Sequence, residues 1–409
     1  MPFVSYIKLV KSYPKLLSFG FLMALASSPG ETYFIGVFGP EIQADLNLSH
    51  TQWGSIYMVG TLASMALLPW TGSLIDRFSL RHYTIAVGVL LTIACAFISI
   101  AVGVLSLVIA IFLLRHSGQG LSAHISSTSM ARYFDAERGR AISLASMGAT
   151  VGGSLLPLVA VTGIAMIGWR GTYIGAGILS GFVVLPIAVW LLQGHRHEAH
   201  PVQFKEEMSE LPSKTGSWTR AEVLRDPRFY LLLNGFIAAN IALTAMFFHH
   251  INLADAKLWS HTWVTGNYVV YSIVAMLVIL GVGPLIDRYR AVRIAPFILL
   301  PMILALLMIS MIDTPLVVLP YMLLLGLNTG LVYPTMSAIW PELYGVKHIG
   351  AIKSAATPIA VFGSAIGPVI MGGLMDFGLS IERVCVIFAC YCFTGTLSAY
   401  LVLIKVRSR

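Results

Sequence analysis

Charged residues are scarce in this chain. Only 11% of its 409 residues are Asp, Glu, Lys or Arg, whereas 57% are hydrophobic. Soluble globular proteins carry roughly 25% charged residues, so this composition excludes a soluble globular domain. The low charge content therefore predicts a protein that is surrounded by lipid.

Cysteine is also scarce, and the signatures of common enzymes are absent from the sequence. The four cysteines, Cys95, Cys385, Cys390 and Cys392, all fall inside apolar runs, which argues against a disulfide framework and a cysteine metal site. The sequence contains no phosphate-binding Gly-Lys-Ser/Thr loop, no zinc signature and no nucleophile elbow. Its polar loops are too short for a separate catalytic domain. We therefore predict that the chain is not an enzyme and needs no cofactor or metal ion.

Long apolar runs make up most of the sequence. A transmembrane helix needs about 20 apolar residues, and by this rule we predict twelve spans. They cover residues 15–38, 51–74, 83–101, 104–130, 140–162, 170–193, 227–250, 261–283, 293–311, 315–340, 349–375 and 382–404. Each is predicted to be a helix, because lipid offers the backbone no hydrogen-bond partner and a helix satisfies its own polar groups. The predicted fold class is an all-α membrane protein.

One long polar stretch, residues 194–226, divides the spans into two sets of six. We predict an N-terminal six-helix bundle at residues 1–193, a cytoplasmic linker at 194–226 and a C-terminal six-helix bundle at 227–409. The linker contains three histidines, for which metal binding is one interpretation. A flexible polar connector between the two bundles is the favoured one.

The basic residues alternate in density from loop to loop. Of the 26 Lys and Arg residues, only Arg170, Lys257 and Arg383 lie in or at the edges of the sparse loops, and only Arg115 lies well inside a span. Since loops rich in Lys and Arg stay in the cytoplasm, both termini are predicted to be cytoplasmic, in a protein of the cell membrane. The net charge of +8 therefore reports topology. It does not indicate nucleic-acid binding, because the charges are dispersed. We expect a monomer.

A short motif occurs twice. Gly72-Ser-Leu-Ile-Asp76-Arg77 recurs as Gly283-Pro-Leu-Ile-Asp287-Arg288, 211 residues later, and each copy lies between two apolar runs. The repeat indicates internal duplication. The glycines are expected to permit close helix approach. The aspartates are expected to pair with nearby arginines or with a helix N-terminus.

We predict that the repeated motif forms a conformational latch between the two halves. The alternative interpretation is a tight turn that only determines topology. The predicted latch residues are Gly72, Asp76, Arg77, Gly283, Asp287 and Arg288.

With Arg115-His-Ser-Gly-Gln119-Gly120 in the fourth span, these motifs resemble those of the Major Facilitator Superfamily of secondary transporters. The resemblance spans essentially the whole chain. Tyr133-Phe134 and His348-Ile-Gly350 are similar to the monocarboxylate and oxalate/formate branch. The resemblance implies two bundles that rock around a shared cavity, lined by spans 1, 4, 7 and 10. It also implies that the repeated motif holds the outward-facing state.

Two ionisable residues lie well inside the predicted spans, Glu31 in span 1 and Arg115 in span 4. A charge inside a membrane costs at least ~2.5 kcal/mol, so such residues usually serve function. We predict that Arg115 binds a carboxylate through two parallel hydrogen bonds and that Glu31 carries the coupled proton. A Glu31–Arg115 pair is geometrically possible. The alternative is a static pair that only orders the N-terminal half.

Further polar residues follow helical spacing and are predicted to converge on the same cavity. The predicted substrate-binding residues besides Arg115 are Tyr57, Gln119, Asn240, Asn267, Tyr271, Asn328 and Tyr333. The alternative interpretation, favoured for single hydroxyls, is that polar side chains only join helices. His249 and His250, at the outer end of span 7, are expected at the membrane interface.

The sequence therefore favours a proton-coupled carrier of a small organic anion. A proton-driven exporter of drugs or amphiphilic cations is the alternative, with Glu31 as the cation-binding acid. The exporter motif of the family places Gly-Pro before a glycine pair, and Gly148-Ala-Thr-Val-Gly152-Gly153 lacks that proline. Span 8 also lacks the Arg and Asp that are typical of monocarboxylate carriers. A receptor of the same fold is a third alternative.

Overall fold

The computed structural model describes residues 8–134, 137–193, 218–345 and 347–407. Every regular element within these residues is helical, which confirms the predicted all-α class. Contacts divide the chain into two compact units. One contains Met1–Leu48 and Ile56–Glu206, and the other contains Ser49–Ser55 and Glu207–Arg409.

After a short helical stretch at residues 8–12, nine α-helices cover the first part of the described chain. They are α1 (Pro14–Ala26), α2 (Thr32–Ile35), α3 (Gly39–Leu46), α4 (His50–Ser73), α5 (Leu80–Ser99), α6 (Val104–Leu114), α7 (Ala123–Tyr133), α8 (Arg138–Leu179) and α9 (Leu185–Leu191). Two π-helical segments, Arg115–Ser122 and Ser180–Val184, join α6 to α7 and α8 to α9. Apolar side chains from α1, α5, α7, α8 and α9 form the buried core of this unit.

Nine more helices cover the second part. They are α10 (Arg220–Leu224), α11 (Pro227–Ala256), α12 (His261–Gly266), α13 (Tyr268–Tyr289), α14 (Ala291–Ile294), α15 (Leu300–Met311), α16 (Val318–Tyr344), α17 (Ile349–Asp376) and α18 (Ile381–Arg407). Helix α11 contacts α17 and α18, and α13 packs along α16.

Ten helices in the described residues are long and apolar enough to cross a membrane, whereas the sequence predicted twelve spans. One difference lies in predicted span 1, where Ser28–Gly30 and Gly36–Phe38 form 3-10 turns between the short helices α1, α2 and α3. The other lies in predicted spans 5 and 6, which form one 54-residue apolar segment, Arg138–Leu191. Its backbone leaves the helical conformation at Gly168, where φ is +69°. Glycine accepts this angle because it has no Cβ.

The predicted linker is partly helical at its end. Helix α10 begins after Thr219, whose side chain accepts a hydrogen bond from the Glu222 backbone N–H. In return, the Thr219 backbone N–H and hydroxyl donate to the Glu222 carboxylate, which lowers the pKa of that carboxyl. The linker histidines His195, His197 and His200 lie outside the described residues.

The repeated glycines do not mark close helix contacts. A Cβ atom on Gly72 would first meet His124 Nε2 at 3.6 Å, an ordinary contact, and a Cβ on Gly283 would meet nothing within 4 Å. The predicted close approach at these two positions is therefore wrong.

Candidate functional site

The first unit brings Glu31 and Arg115 together through a break in the first predicted span. Helix α1 ends at Ala26, and Ser28–Gly30 forms a 3-10 turn that contains Pro29. Glu31 then adopts extended backbone, with φ −85° and ψ 150°. Proline lacks a backbone N–H and so favours such a break. The break therefore presents a backbone carbonyl and the Glu31 carboxyl inside a predicted span. An intact helix would use its backbone carbonyls there for its own hydrogen bonds.

The opposing segment, Arg115–Ser122, is a π-helix. The sequence predicted an α-helical stripe here, so the local geometry differs from the prediction. The Ser122 hydroxyl donates to Ser117 O, five residues earlier. π-Helical turns inside α-helices are rare and are frequent at functional sites. The wider turn changes which side chains share a face with Arg115.

The two segments touch through backbone atoms. A Cβ on Gly118 would lie 2.8 Å from Gly30 Cα, and a Cβ on Gly30 would lie 2.2 Å from Leu114 O. Only glycine at both positions allows this distance, as at other small-residue helix crossings in membranes. The crossing places the Arg115 side chain beside the break in span 1.

Arg115 is 3% exposed, and a single nitrogen, Nη1, donates its hydrogen bonds. Nη1 donates to Gly30 O at 3.0 Å and to the Thr32 hydroxyl at 3.5 Å. The guanidinium lies over the Tyr57 ring, 5.0 Å from its centroid, and the Tyr57 hydroxyl bonds to Thr32. Nε is buried without a hydrogen-bond partner. Among the described residues no carboxylate forms an ion pair with Arg115.

The geometrically possible Glu31–Arg115 ion pair does not form in the structure. The Glu31 carboxylate instead accepts a hydrogen bond from Gln119 Nε2 at 3.2 Å. The extended backbone at Glu31 and the π-helical turn bring Gln119, rather than the guanidinium, to the carboxylate. Four predicted site residues, Arg115, Glu31, Gln119 and Tyr57, thus lie in one cluster of the first unit.

The second unit contains a small depression. It is lined by Ala239, Asn240, Leu243, Asn328, Thr329, Val332 and Tyr333, three of which the sequence predicted. Asn240 Nδ2 donates to Phe236 O in its own helix, and Asn328 Nδ2 donates to Ile298 O, both at 2.8 Å. Asn240 therefore bonds within its own helix, whereas Asn328 joins two backbone segments.

Asn267 and Tyr271 do not line this depression. Asn267 Nδ2 donates to Trp263 O in the preceding turn at 2.8 Å. The Tyr271 hydroxyl lies 3.1 Å from the Thr329 hydroxyl, which itself lines the depression. Tyr271 thus contacts a residue that lines the depression, whereas Asn267 forms its hydrogen bond within its own chain segment.

The two copies of the repeated motif make different contacts. Asp76 forms an ion pair with Arg132 inside the first unit. In the second copy Asp287 forms no ion pair among the described residues, and Arg290 Nε instead bonds to Glu342 at 3.0 Å. A latch between the halves stays a prediction.

The sequence analysis named the two histidines of α11 but did not identify their burial or their partners. His249 is 0% and His250 1% exposed, so both side chains are buried within the protein, and their place at the membrane interface stays a prediction. His250 Nδ1 lies 2.8 Å from the Tyr268 hydroxyl, and its Nε2 lies 2.6 Å from the Tyr321 hydroxyl. The partners come from α13 and α16, so no spacing within α11 signals them.

Comparisons with known proteins agree with this architecture. The Major Facilitator Superfamily profile matches residues 20–368. Monocarboxylate transporter 6 of Homo sapiens is 27% identical over 160 residues, 38% of this chain and 32% of that protein. The chain thus matches about a third of that relative's length.

Two solved transporter structures share the fold. The nucleoside transporter NupG superposes with a TM-score of 0.72 at 13% identity, covering 95% of this chain and 99% of NupG. A bacterial homologue of the human lysosomal transporter Spinster gives 0.68 at 15% identity, covering 98% and 97%. The profile spans most of the chain and the architecture is that of a transporter rather than an enzyme: the chain belongs to the Major Facilitator Superfamily.

Proposed function

We propose that this transporter carries a small organic anion, bound through its carboxylate, together with a proton. The observation that carries the proposal is the buried Arg115 guanidinium without an anionic partner. An arginine side chain does not lose its proton in a protein. A permanent positive charge inside the membrane is costly unless an anion or an aqueous pathway compensates it.

The unused donors of Arg115 suit a carboxylate. Nη1 is engaged by Gly30 O and Thr32, which leaves the N–H groups of Nε and Nη2 on one edge of the guanidinium. Two parallel N–H groups match the two oxygens of a carboxylate, and such bidentate bonds are among the strongest in proteins. The cation–π contact with Tyr57 holds the guanidinium plane. The local similarity to a monocarboxylate transporter supports the same substrate chemistry.

Glu31 is the residue that we propose for proton coupling. Its carboxylate is held by Gln119 and not by Arg115. A nearby positive charge favours the ionised form of a carboxyl, and burial favours the protonated form. An anion that binds Arg115 cancels the nearby charge, so Glu31 takes up a proton. Anion and proton then cross the membrane as a neutral load.

Uptake into proteoliposomes tests the anion site. Radiolabelled lactate, formate and oxalate serve as probes, with uridine and tetraphenylphosphonium as neutral and cationic comparisons. Loss of even one charge-assisted hydrogen bond costs about 1.5–3 kcal/mol, so Arg115→Gln is expected to weaken carboxylate uptake at least about tenfold. Arg115→Lys keeps the charge but loses the paired donors, and we expect a large loss there too.

Arg383→Gln is the matched control, because it removes an exposed arginine and should leave uptake unchanged. Wild-type carboxylate uptake by Arg115→Gln would contradict the proposal. Uptake of tetraphenylphosphonium in place of every carboxylate would favour the exporter, with Glu31 as its cation-binding acid.

A pH-sensitive dye inside the same vesicles tests the coupling. We expect Glu31→Gln to retain carboxylate exchange but to lose substrate-driven proton uptake, because an amide does not bind the proton. Unchanged proton uptake in this variant would exclude Glu31 as the coupling residue while leaving the Arg115 site intact.

A further inference from the structure

One face of α4 packs against the π-helical segment that carries Arg115. The Arg115 guanidinium lies over the Tyr57 ring, 5.0 Å from its centroid. Farther along α4, the Ser64 and Thr71 hydroxyls lie 3.3 Å and 3.1 Å from the two ring nitrogens of His116. These three α4 residues are spaced seven apart, which is close to two full helical turns, so they share one face of the helix.

Thr61 lies on this face between the two contacts. It follows Tyr57 by four residues and precedes Ser64 by three, and side chains at these spacings are neighbours on a helix. Because the Cα–Cβ bonds of a helix tilt toward its N-terminus, the Thr61 side chain leans toward the level of Tyr57 and the guanidinium. Thr61 is 3% exposed, so its side chain is enclosed by protein.

The Thr61 hydroxyl has no hydrogen-bond partner among the described residues. Threonine in a helix often bonds to the carbonyl four residues earlier, as Thr71 does to Leu67 O and Thr92 does to Gly88 O. Thr61 makes no such bond, and its hydroxyl does not join α4 to another helix. A buried polar atom without a partner is uncommon in a folded protein and calls for an explanation.

Two buried donors are thus unused in the same part of the first unit, the Thr61 hydroxyl and Arg115 Nε. They belong to the two elements that face each other, α4 and the π-helical segment. A carboxylate offers about four lone pairs on its two oxygens, so it accepts from the arginine and from a hydroxyl at the same time. Binding of one anion would therefore satisfy both donors.

We propose that Thr61 is a binding residue of this site, and that its hydroxyl donates to the same carboxylate that the free edge of Arg115 binds. The inference rests on the anion transport proposed above and adds a donor from a second helix. Since the hydroxyl contacts the carboxylate itself, every carboxylic acid that the site accepts depends on it, whatever other polar groups the acid carries.

Thr61→Val tests the proposal, because valine has nearly the shape of threonine and lacks only the hydroxyl. Without ligand, the variant should unfold at the same temperature as the parent or slightly higher, since it loses a buried hydroxyl that had no partner. Thermal unfolding in detergent at increasing lactate or propionate concentration then gives the affinities. We expect both acids to bind about three- to tenfold more weakly. Thr61→Ser keeps the hydroxyl and should retain most of the affinity.

Thr84→Val is the matched control. Thr84 is buried in α5, and its hydroxyl also lacks a partner among the described residues, but α5 contributes no residue to the Arg115 cluster. This variant should bind both acids as the parent does.

Three results would overturn the proposal. One is parental affinity in Thr61→Val, with or without a lower unfolding temperature. Another is equal weakening in Thr84→Val. The third is a loss confined to lactate, because propionate lacks only the 2-hydroxyl group. In all three cases Arg115→Gln still reports on the carboxylate site, so a failure at Thr61 is distinguishable from a failure of the proposed function. A parent protein that binds neither acid would contradict both.

Discussion

Gly30→Ala tests whether the contact between span 1 and the π-helical segment positions the binding site. The added Cβ would lie 2.2 Å from Leu114 O, 2.7 Å from Gln119 N and 3.0 Å from Gly118 Cα. All three are backbone atoms, so no side-chain rotation relieves the overlap. Ordinary contacts begin at 3.4 Å, so the two segments must separate by about 1 Å.

The separation is expected to affect both stability and binding. Overpacking of this kind costs about 1–3 kcal/mol, which lowers the ratio of folded to unfolded protein by roughly five- to a hundredfold. Arg115 Nη1 donates to the carbonyl of the substituted residue at 3.0 Å. A shift of about 1 Å would lengthen this hydrogen bond to about 4 Å, which is beyond the range of a useful hydrogen bond. Arg115 then loses its orientation, and carboxylate affinity falls.

Thermal unfolding of purified protein in detergent, with and without lactate, measures both effects. We expect a lower unfolding temperature for Gly30→Ala and a smaller stabilisation by lactate. Gly281→Ala is the matched control, because its Cβ meets no heavy atom within 4 Å in the interior of α13. The control should be as stable as the parent or slightly more, since alanine favours a helix over glycine. If Gly30→Ala behaves like Gly281→Ala in both measurements, the close crossing does not position Arg115.

Two further predictions concern the first unit outside the site. Gly168→Ala is expected to lower the unfolding temperature, because φ +69° with ψ 169° is a conformation that essentially only glycine adopts and costs another residue about 1–3 kcal/mol. Gly175→Ala in regular helix should not lower it. The hydrogen bond from Arg170 lowers the pKa of Asp45, so this pair contributes stability above the ordinary carboxyl pKa and loses it as pH falls through the lowered value. Unfolding temperatures measured from neutral to acid pH should show this loss of stability. The loss should be smaller in Asp45→Asn, which has no carboxyl to protonate at this position. An identical acid response in the two proteins would contradict the assignment.

Several features of the site could be predicted from the sequence. Arg115 and Glu31 stand out in an apolar chain, because a charge in lipid is conspicuous without any knowledge of its neighbours. Gln119, four residues after Arg115, was correctly expected near them, because residues on one helix stay close even when the turn widens. The predicted lining residues Asn240, Asn328 and Tyr333 also share one depression.

The partners of these residues could not be predicted. Gly30 and Arg115 are 85 positions apart, and their hydrogen bond depends on two glycines that let two backbones touch. The break at Pro29 turned Glu31 toward Gln119 instead of Arg115. The His249 ring bonds to a backbone carbonyl 119 positions away in the sequence. In each case the relevant distance joins different helices, which local spacing does not encode.

Composition and the length of its apolar runs alone determined that this chain is a helical membrane protein, because lipid admits few ways to satisfy a backbone. The same sequence determined that one arginine must remain charged inside it. Only the tertiary structure decided which oxygens meet that arginine and which donors stay unused. Those contacts arise where separate helices cross, and the crossing depends on packing between distant parts of the chain.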